Sequence, residues 1–308
     1  HDYLEDYEER FESYHRKESR IQFDLELFNK ITKGGLPNKT LNIALAGTGV
    51  GKSLFMCHHA SSVLLDGKNV LYITLEMAEE KIAERIDANL LNVAIQDITD
   101  LPKPMFESKV NNISKKTQGT LIIKEYPTGS ASVVTIRNHI EKLSLKGFKP
   151  NVIIIDYADI MKSTRAYDSL RHELKLIYEE LRNLAMDLNV PIWTASQANR
   201  DASDKPVVGL ENMSEAYGKA MVADIVLSLS RKPMEKASGC GRLFVAKNRA
   251  GRDGILFPVF LDCSMSKLQI IENGEEMTLE EVVKTDAGTM KNLLKEKWKQ
   301  VNGEAHPQ

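Results

Sequence analysis

Residues 41–55 read LNIALAGTGVGKSLF: an apolar run interrupted only by Asn42, then Gly47, Gly49 and Gly51 among small neighbours, then Lys52 and Ser53. An apolar strand, a glycine-rich loop and a helix opening on Gly-Lys-Ser is the layout of a P-loop. The glycines let the backbone fold closely around a phosphate, so that amide N–H groups point at the anion. The helix that follows presents the positive end of its dipole to the same charge. The expected cradle is Gly47, Thr48, Gly49, Val50, Gly51, Lys52, Ser53 and Leu54. Lys52 is expected to reach the β- and γ-phosphates of a nucleotide, and Ser53 to coordinate Mg2+. The first glycine of the common pattern is replaced by Ala46, which is small enough for the loop to keep its shape.

Beyond the loop the sequence alternates apolar runs with helical segments. Strands are expected over 41–46, 69–75, 120–124, 151–156, 191–195 and 224–229, and helices over 52–66, 78–91, 131–146 and 168–188. Near-continuous apolar strands separated by helices predict an α/β fold, with a mostly parallel sheet covered on both faces. After residue 230 the segment GRLFVAKNRAGRDGILFPVFLD predicts strands joined by a glycine-containing turn, an antiparallel addition.

Three polar residues end strands in the order that phosphate chemistry needs. In NVIIIDY the apolar strand ends with Asp156, whose carboxylate is expected to hold Mg2+ directly or through water. YITLEM carries Glu76 at the carboxyl edge of the second strand, where it can polarise an attacking water as general base. TASQANR carries Gln197, an amide able to bond a γ-phosphate and to report its loss to the loop that follows.

Composition limits the alternatives. Of 308 residues, 42% are hydrophobic and 27% charged, in the range of ordinary globular proteins. No run approaches the roughly 18 apolar residues of a membrane span, and no secretory signal opens the chain. The formal charge of −2 argues against a broadly basic nucleic-acid coat, so any such site must be local. Cys57, Cys240 and Cys263 form no C-x-x-C pair, which fits a reducing cytoplasm and neither disulfides nor structural zinc. The adjacent His58 and His59 cannot share one helix face as metal ligands. Since the first residue is His1 rather than Met, a fragment with a missing upstream region is expected.

These motifs together resemble the DnaB-type replicative DNA helicases with their RecA-like ATPase core, and among them those of T-even-like bacteriophages. The resemblance rests on KITKGGLPNKTLNIALAGTGVGKS, LYITLEMAEEKIAERIDANLL, VIIIDY, TASQANR and VAKNRAGRDG, spread over about 21–260. Leu-Glu-Met and Lys-Asn-Arg-x-Gly discriminate more sharply than the P-loop, and the family shares the alanine at position 46. The resemblance implies ATP and Mg2+ as ligands, Glu76 as catalytic carboxylate and Gln197 as γ-phosphate sensor. It places Lys247 and Arg249 on a hairpin reaching a neighbour's nucleotide, with Arg249 an arginine finger in trans. Arg85 matches a family arginine near the nucleotide.

The family forms hexameric rings around single-stranded DNA and is driven along it by ATP, with a primase and a helicase loader as possible partners and no membrane. For a phage-encoded chain the resemblance implies the host cytoplasm. It also implies a domain plan of linker helix (1–20), RecA-like ATPase (21–274) and C-terminal tail (275–308). Leu4, Tyr7, Phe11 and Tyr14 recur at helical spacing, and that short helix packs on its own domain or, as the resemblance suggests, on the adjacent subunit. Loops after Asp156 and Gln197 face the pore in such rings. Candidate DNA contacts there are Lys162, Arg165, Arg200, Lys205 and Lys219, with backbone amides near Ser214 and Gly218. The competing expectations are a RecA-type recombinase filament and a non-motor ATP-dependent assembly switch.

Overall fold

The computed structural model describes residues 2–15, 19–199, 202, 205–213 and 217–271. The chain begins with helix α1 (Tyr7–His15) and an antiparallel ribbon of β1 (Arg20–Ile21) and β2 (Leu36–Pro37) around α2 (Glu26–Ile31). Strands and helices then alternate: β3 (Leu41–Ala46), α3 (Lys52–Leu65), β4 (Val70–Thr74), α4 (Glu79–Leu91), α5 (Ile95–Ile98), α6 (Lys103–Ser114) and β5 (Leu121–Glu125). The second half continues with α7 (Val133–Leu145), β6 (Val152–Asp156), α8 (Leu170–Leu188), β7 (Ile192–Gln197), α9 (Tyr217–Val222) and β8 (Ile225–Ser230). It closes with α10 (Pro233–Lys236), β9 (Cys240–Asn248), β10 (Leu256–Asp262) and β11 (Lys267–Ile270). The expected strands and helices are present with ends within two residues of the sequence reading.

One nine-stranded sheet runs in the order β11-β10-β9-β8-β3-β7-β6-β4-β5. From β8 to β5 every neighbouring pair is parallel, and β9, β10 and β11 join antiparallel, as the sequence after residue 230 predicts. The chain passes from β3 over α3 to β4, leaving two places between them that β7 and β6 later fill. Such a crossover opens a crevice beyond the carboxyl ends of the central strands, where ligands bind in open α/β sheets.

Alternation along β3 shows how the sheet is sealed. Leu41, Ile43 and Leu45 join a core with Ile136 and Ile140 of α7 and Ile177, Leu181 and Leu184 of α8. Ala44 and Ala46 join the opposite core, with Phe55, Met56 and Ala60 of α3. The inner residues of α8 (Leu174, Ile177, Tyr178, Leu181, Leu184 and Ala185) recur at helical spacing and form its buried stripe. Asn189 then takes a left-handed conformation that stops the helix before Pro191. Leu4, Tyr7 and Phe11 are exposed, so among the described residues the α1 region brings uncovered apolar side chains to the surface. The expected tail at 275–308 lies outside the described residues.

The core on the α3 face holds a histidine whose buried state should make stability acid-sensitive. His59 is fully buried, stacked on Phe23 with ring centroids 4.1 Å apart, and neither ring nitrogen has a hydrogen-bond partner among the described residues. Burial pushes its pKa down to about 3, with the Asp24 carboxylate opposing and His58 adding to the drop. The fold therefore holds neutral His59, while the unfolded chain takes up a proton below about 6.5. This contribution to stability is complete above that pH and is lost as pH falls toward 3, at about 1.4 kcal/mol per unit. Denaturant unfolding of His59→Phe should therefore gain about 2 kcal/mol on the parent between pH 7 and pH 5. Parallel pH profiles for the two proteins would contradict this account.

Candidate active site

The phosphate cradle is built where β3 ends. Gly49 has φ of +69° and Gly51 φ of +132°, conformations that glycine adopts without strain. The turn is closed by the Val50 amide donating to the Gly47 carbonyl at 3.3 Å. The amides of Gly49, Gly51, Lys52 and Ser53 have no acceptor among the described residues, which leaves a ring of donors at the N-terminus of α3. Ala46 is wholly buried in the core on the α3 face, so its methyl group belongs to that core rather than to the cradle.

Around the cradle the parallel strands deliver their polar ends. Gln197, at the end of β7, donates its side-chain amide to Thr48 Oγ1 at 2.7 Å. Asp156, the last residue of β6, is buried, and its Oδ2 accepts the Tyr72 hydroxyl at 3.0 Å. Its other oxygen, Oδ1, has no hydrogen-bond partner among the described residues. Burial pushes the Asp156 carboxyl up, with Ser53, Tyr72 and Arg85 pulling it back down. An unpartnered buried carboxylate oxygen in reach of a hydroxyl is an oxygen donor set, which suits a hard divalent cation.

Burial lowers the Lys52 pKa, while Glu76, Asp156 and Asp159 favour its charged form. Glu76 is exposed just beyond β4, at the carboxyl edge. The Thr74 hydroxyl shapes that turn, donating to the Met77 carbonyl at 2.7 Å and accepting the Met77 amide at 3.2 Å. The structure thus brings together the P-loop, Lys52, Ser53, Glu76, Arg85, Asp156 and Gln197.

Lys247 and Arg249 lie elsewhere. Lys247 is paired with Val226 at the start of β8, whereas Ala46 beside the cradle is paired with Leu229. Three residues of strand separate the two levels by about 10 Å. Lys247 donates to the carbonyls of Ala220 at 2.7 Å and Met221 at 3.2 Å, and burial lowers its pKa with help from Arg249. Arg249 donates to Asp224 Oδ1 at 3.0 Å and to the Met221 carbonyl at 2.9 Å. Asp224 also accepts from Arg182, and from the Leu41 amide at 3.0 Å, so it anchors this edge of the sheet. The two basic side chains are therefore displaced along the strands from their own chain's cradle.

The expected DNA contacts separate into groups. Lys162 and Arg165 are exposed in the segment after β6, and Gly218 is half-buried in α9. Lys205 is half-buried, and its ammonium donates to Asn212 Oδ1 at 3.4 Å. Arg200 and Ser214 lie outside the described residues. Lys219 requires a correction: it is fully buried, and its ammonium donates to Asp159 Oδ1 at 2.8 Å and Ser196 Oγ at 3.4 Å. Asp159 also accepts from Tyr178 at 2.7 Å. A lysine committed to such a network is not presented to a phosphate, because extracting it would leave the half-buried Asp159 carboxylate without its cation.

Sequence reading missed two residues at the site. Tyr72, inside β4, carried no signal beyond strand propensity. Lys236 at the end of α10 brings its Nζ to 3.7 Å from where a Cβ on Gly49 would stand. Arg231 holds that helix end by donating to the Lys236 carbonyl at 3.0 Å, and Arg242 pairs with the preceding Glu235.

Residues 21–267 match the family described as the DnaB-like helicase C terminal domain. The chain belongs to that family. It is 43% identical over 236 residues to the DnaB-like replicative helicase of Enterobacteria phage T4, covering 74% of this chain and 50% of that protein. It is 27% identical over 202 residues to the replicative DNA helicase DnaB of Helicobacter pylori strain 26695, covering 64% of this chain and 41% of that protein. The chain thus spans half or less of the length of these relatives.

Two solved structures share the fold. One, described as an ATPase domain, superposes with a TM-score of 0.73 at 18% identity, covering 87% of this chain and 97% of that one. The other, a DnaB-like replicative helicase described with its interactions with primase, gives 0.72 at 18% identity and covers 87% and 65%. The domain is therefore RecA-like, as the resemblance implied. Among the described residues no helix is long and apolar enough to cross a membrane.

Proposed function

We propose that this domain is the motor of an ATP-dependent replicative DNA helicase, which hydrolyses ATP between adjacent copies of the chain and moves along single-stranded DNA to unwind duplex. The observation that carries this reading is the division of the site. Lys52, Glu76, Asp156 and Gln197 converge on the cradle, while Lys247 sits about 10 Å away along the strands and Arg249, whose amide donates to the Asp224 carbonyl, lies further still. A guanidinium at that edge completes a phosphate site only on a neighbouring copy. A closed ring, hexameric in this family, satisfies every such interface at once.

In this reading the free amides of Gly49, Gly51, Lys52 and Ser53 hold the phosphates, and Lys52 offsets their charge. Glu76 orients the attacking water and accepts its proton, and Gln197 senses the γ-phosphate beside Thr48. Arg249 of the adjacent copy stabilises charge developing on the transferred phosphoryl group. Ser53 and Asp156 are the residues that would hold Mg2+, which would supply positive charge against the phosphates. Arg85 neighbours Asp156 and acts with Lys52 on the phosphate charge. Lys162, Arg165 and Lys205 are the described candidates for DNA phosphates, together with the Gly218 amide. The protein is expected to meet a primase and a helicase loader, in the cytoplasm of a bacterial host.

Steady-state ATP hydrolysis over a range of protein concentrations, with and without a single-stranded oligonucleotide, tests the reading. Specific activity should rise with concentration and rise further with DNA. Activity indifferent to both would mean a self-contained site and would remove the motor. Glu76→Gln should lower kcat by about 10²-fold with nucleotide affinity little changed, as loss of a general base does. Unaltered slow turnover in that variant would favour the non-motor switch, and long helical filaments in electron micrographs would favour the recombinase.

A further inference from the structure

The cation-binding end of β6 is braced from the neighbouring strand. β4 and β6 run parallel with Thr74 opposite Asp156 and Tyr72 opposite Ile154. Tyr72 is therefore the diagonal neighbour of Asp156 on one sheet face, within reach of a long side chain. Its hydroxyl donates to Asp156 Oδ2 at 3.0 Å, and the Cys57 thiol of α3 donates to that hydroxyl at 3.8 Å. All three residues are buried, so water is not at hand to replace either bond. Because the phenol oxygen receives the thiol proton, its own proton points at the carboxylate. The result is a carboxylate with one oxygen committed and one, Oδ1, unpartnered among the described residues.

We propose that Tyr72 is a positioning residue for the cation: it pins Asp156 Oδ2 and fixes the carboxylate plane, so that Oδ1 is presented to Mg2+ as a single, pre-oriented donor. The proposal rests on the nucleotide and Mg2+ reading above. Without the hydroxyl, Oδ2 is buried and unpaired, and the carboxylate rotates between partners instead of holding one face toward the cation. Loss of such outer-sphere partners typically weakens a metal site by about 10- to 100-fold.

The test uses the full chain and its Tyr72→Phe variant, which keeps the ring and removes only the hydroxyl. Binding of a fluorescent, non-hydrolysable ATP analogue is followed while MgCl2 is added, and separately with EDTA present. The half-saturating Mg2+ concentration should rise about 10-fold in the variant, with affinity for the analogue in EDTA unchanged. Direct Mn2+ binding by electron paramagnetic resonance, with the analogue present, should weaken in parallel. A lower melting temperature with unchanged Mg2+ and Mn2+ dependence would overturn the proposal, leaving Tyr72 a purely structural contact. If instead the parent chain binds the analogue with no dependence on either cation, the nucleotide and Mg2+ reading itself fails.

Discussion

Lys52→Ala should abolish ATP hydrolysis, with turnover falling by about 10³-fold or more. The ammonium is partly desolvated and surrounded by the fields of Glu76, Asp156 and Asp159. With Lys52 gone, those carboxylates and the incoming phosphates repel one another without a cation between them. In a site that excludes water, one preorganised charge aimed at a transition state is worth about 10²- to 10³-fold, and here the same charge also serves ground-state phosphate binding. The variant should fold, because Lys52 opens α3 at a half-buried position and takes no part in the apolar cores. Steady-state turnover at saturating ATP, with circular dichroism as the folding control, provides the check. Normal turnover would remove the P-loop assignment.

Arg249→Ala should lower kcat by about 10³-fold or more while leaving ATP affinity nearly intact, the pattern of a guanidinium that acts on developing charge. The effect must not be confused with loss of the Asp224 anchor, because Arg249 donates to that carboxylate within its own chain. Arg182 remains bound to Asp224 in the variant, and the Leu41 amide still donates to it, so this edge keeps its framework. Arg249→Lys separates the two roles: it keeps a positive charge near Asp224 but loses the planar fork that matches a phosphoryl group. Full activity in Arg249→Lys would assign the residue to the anchor rather than to a neighbour's nucleotide.

How much of this was legible depends on how each residue is buried. The parallel strands announce themselves because both faces are covered, so all but one residue of β3 and of β6 is apolar and the polar residue that ends β6 stands out. The antiparallel addition is equally plain from its glycine-containing turn. By contrast, α6 has no buried residue, so it carries no stripe for periodicity to find. The ribbon of β1 and β2 is two residues per strand, too short to show alternation.

Among candidate site residues, the P-loop, Glu76, Asp156 and Gln197 stand out in the sequence because each lies at the end of a recognisable strand. Tyr72 does not, because what distinguishes it is the register of β4 on β6, a fact of pairing rather than of local pattern. Lys219 failed for a related reason. On a polar stretch a lysine reads as solvated, yet its partner Asp159 lies 60 residues away on another element and draws it under the surface. Lys236 was missed because only the folded chain returns the β8–β9 connection to the P-loop.

The shared active site is the central claim, and mixing two inactive variants tests it most directly. Lys52→Ala supplies a sound Arg249 and Arg249→Ala supplies a sound cradle, so neither alone makes a working interface. Equimolar mixtures that exchange subunits should regain ATP hydrolysis at about a quarter of the parental rate, the share of head-to-tail interfaces that pair an intact cradle with an intact arginine. A mixture that stays as inactive as its components, after subunit exchange is verified by fluorescence transfer between labelled copies, would place both residues in one chain's site and contradict the account.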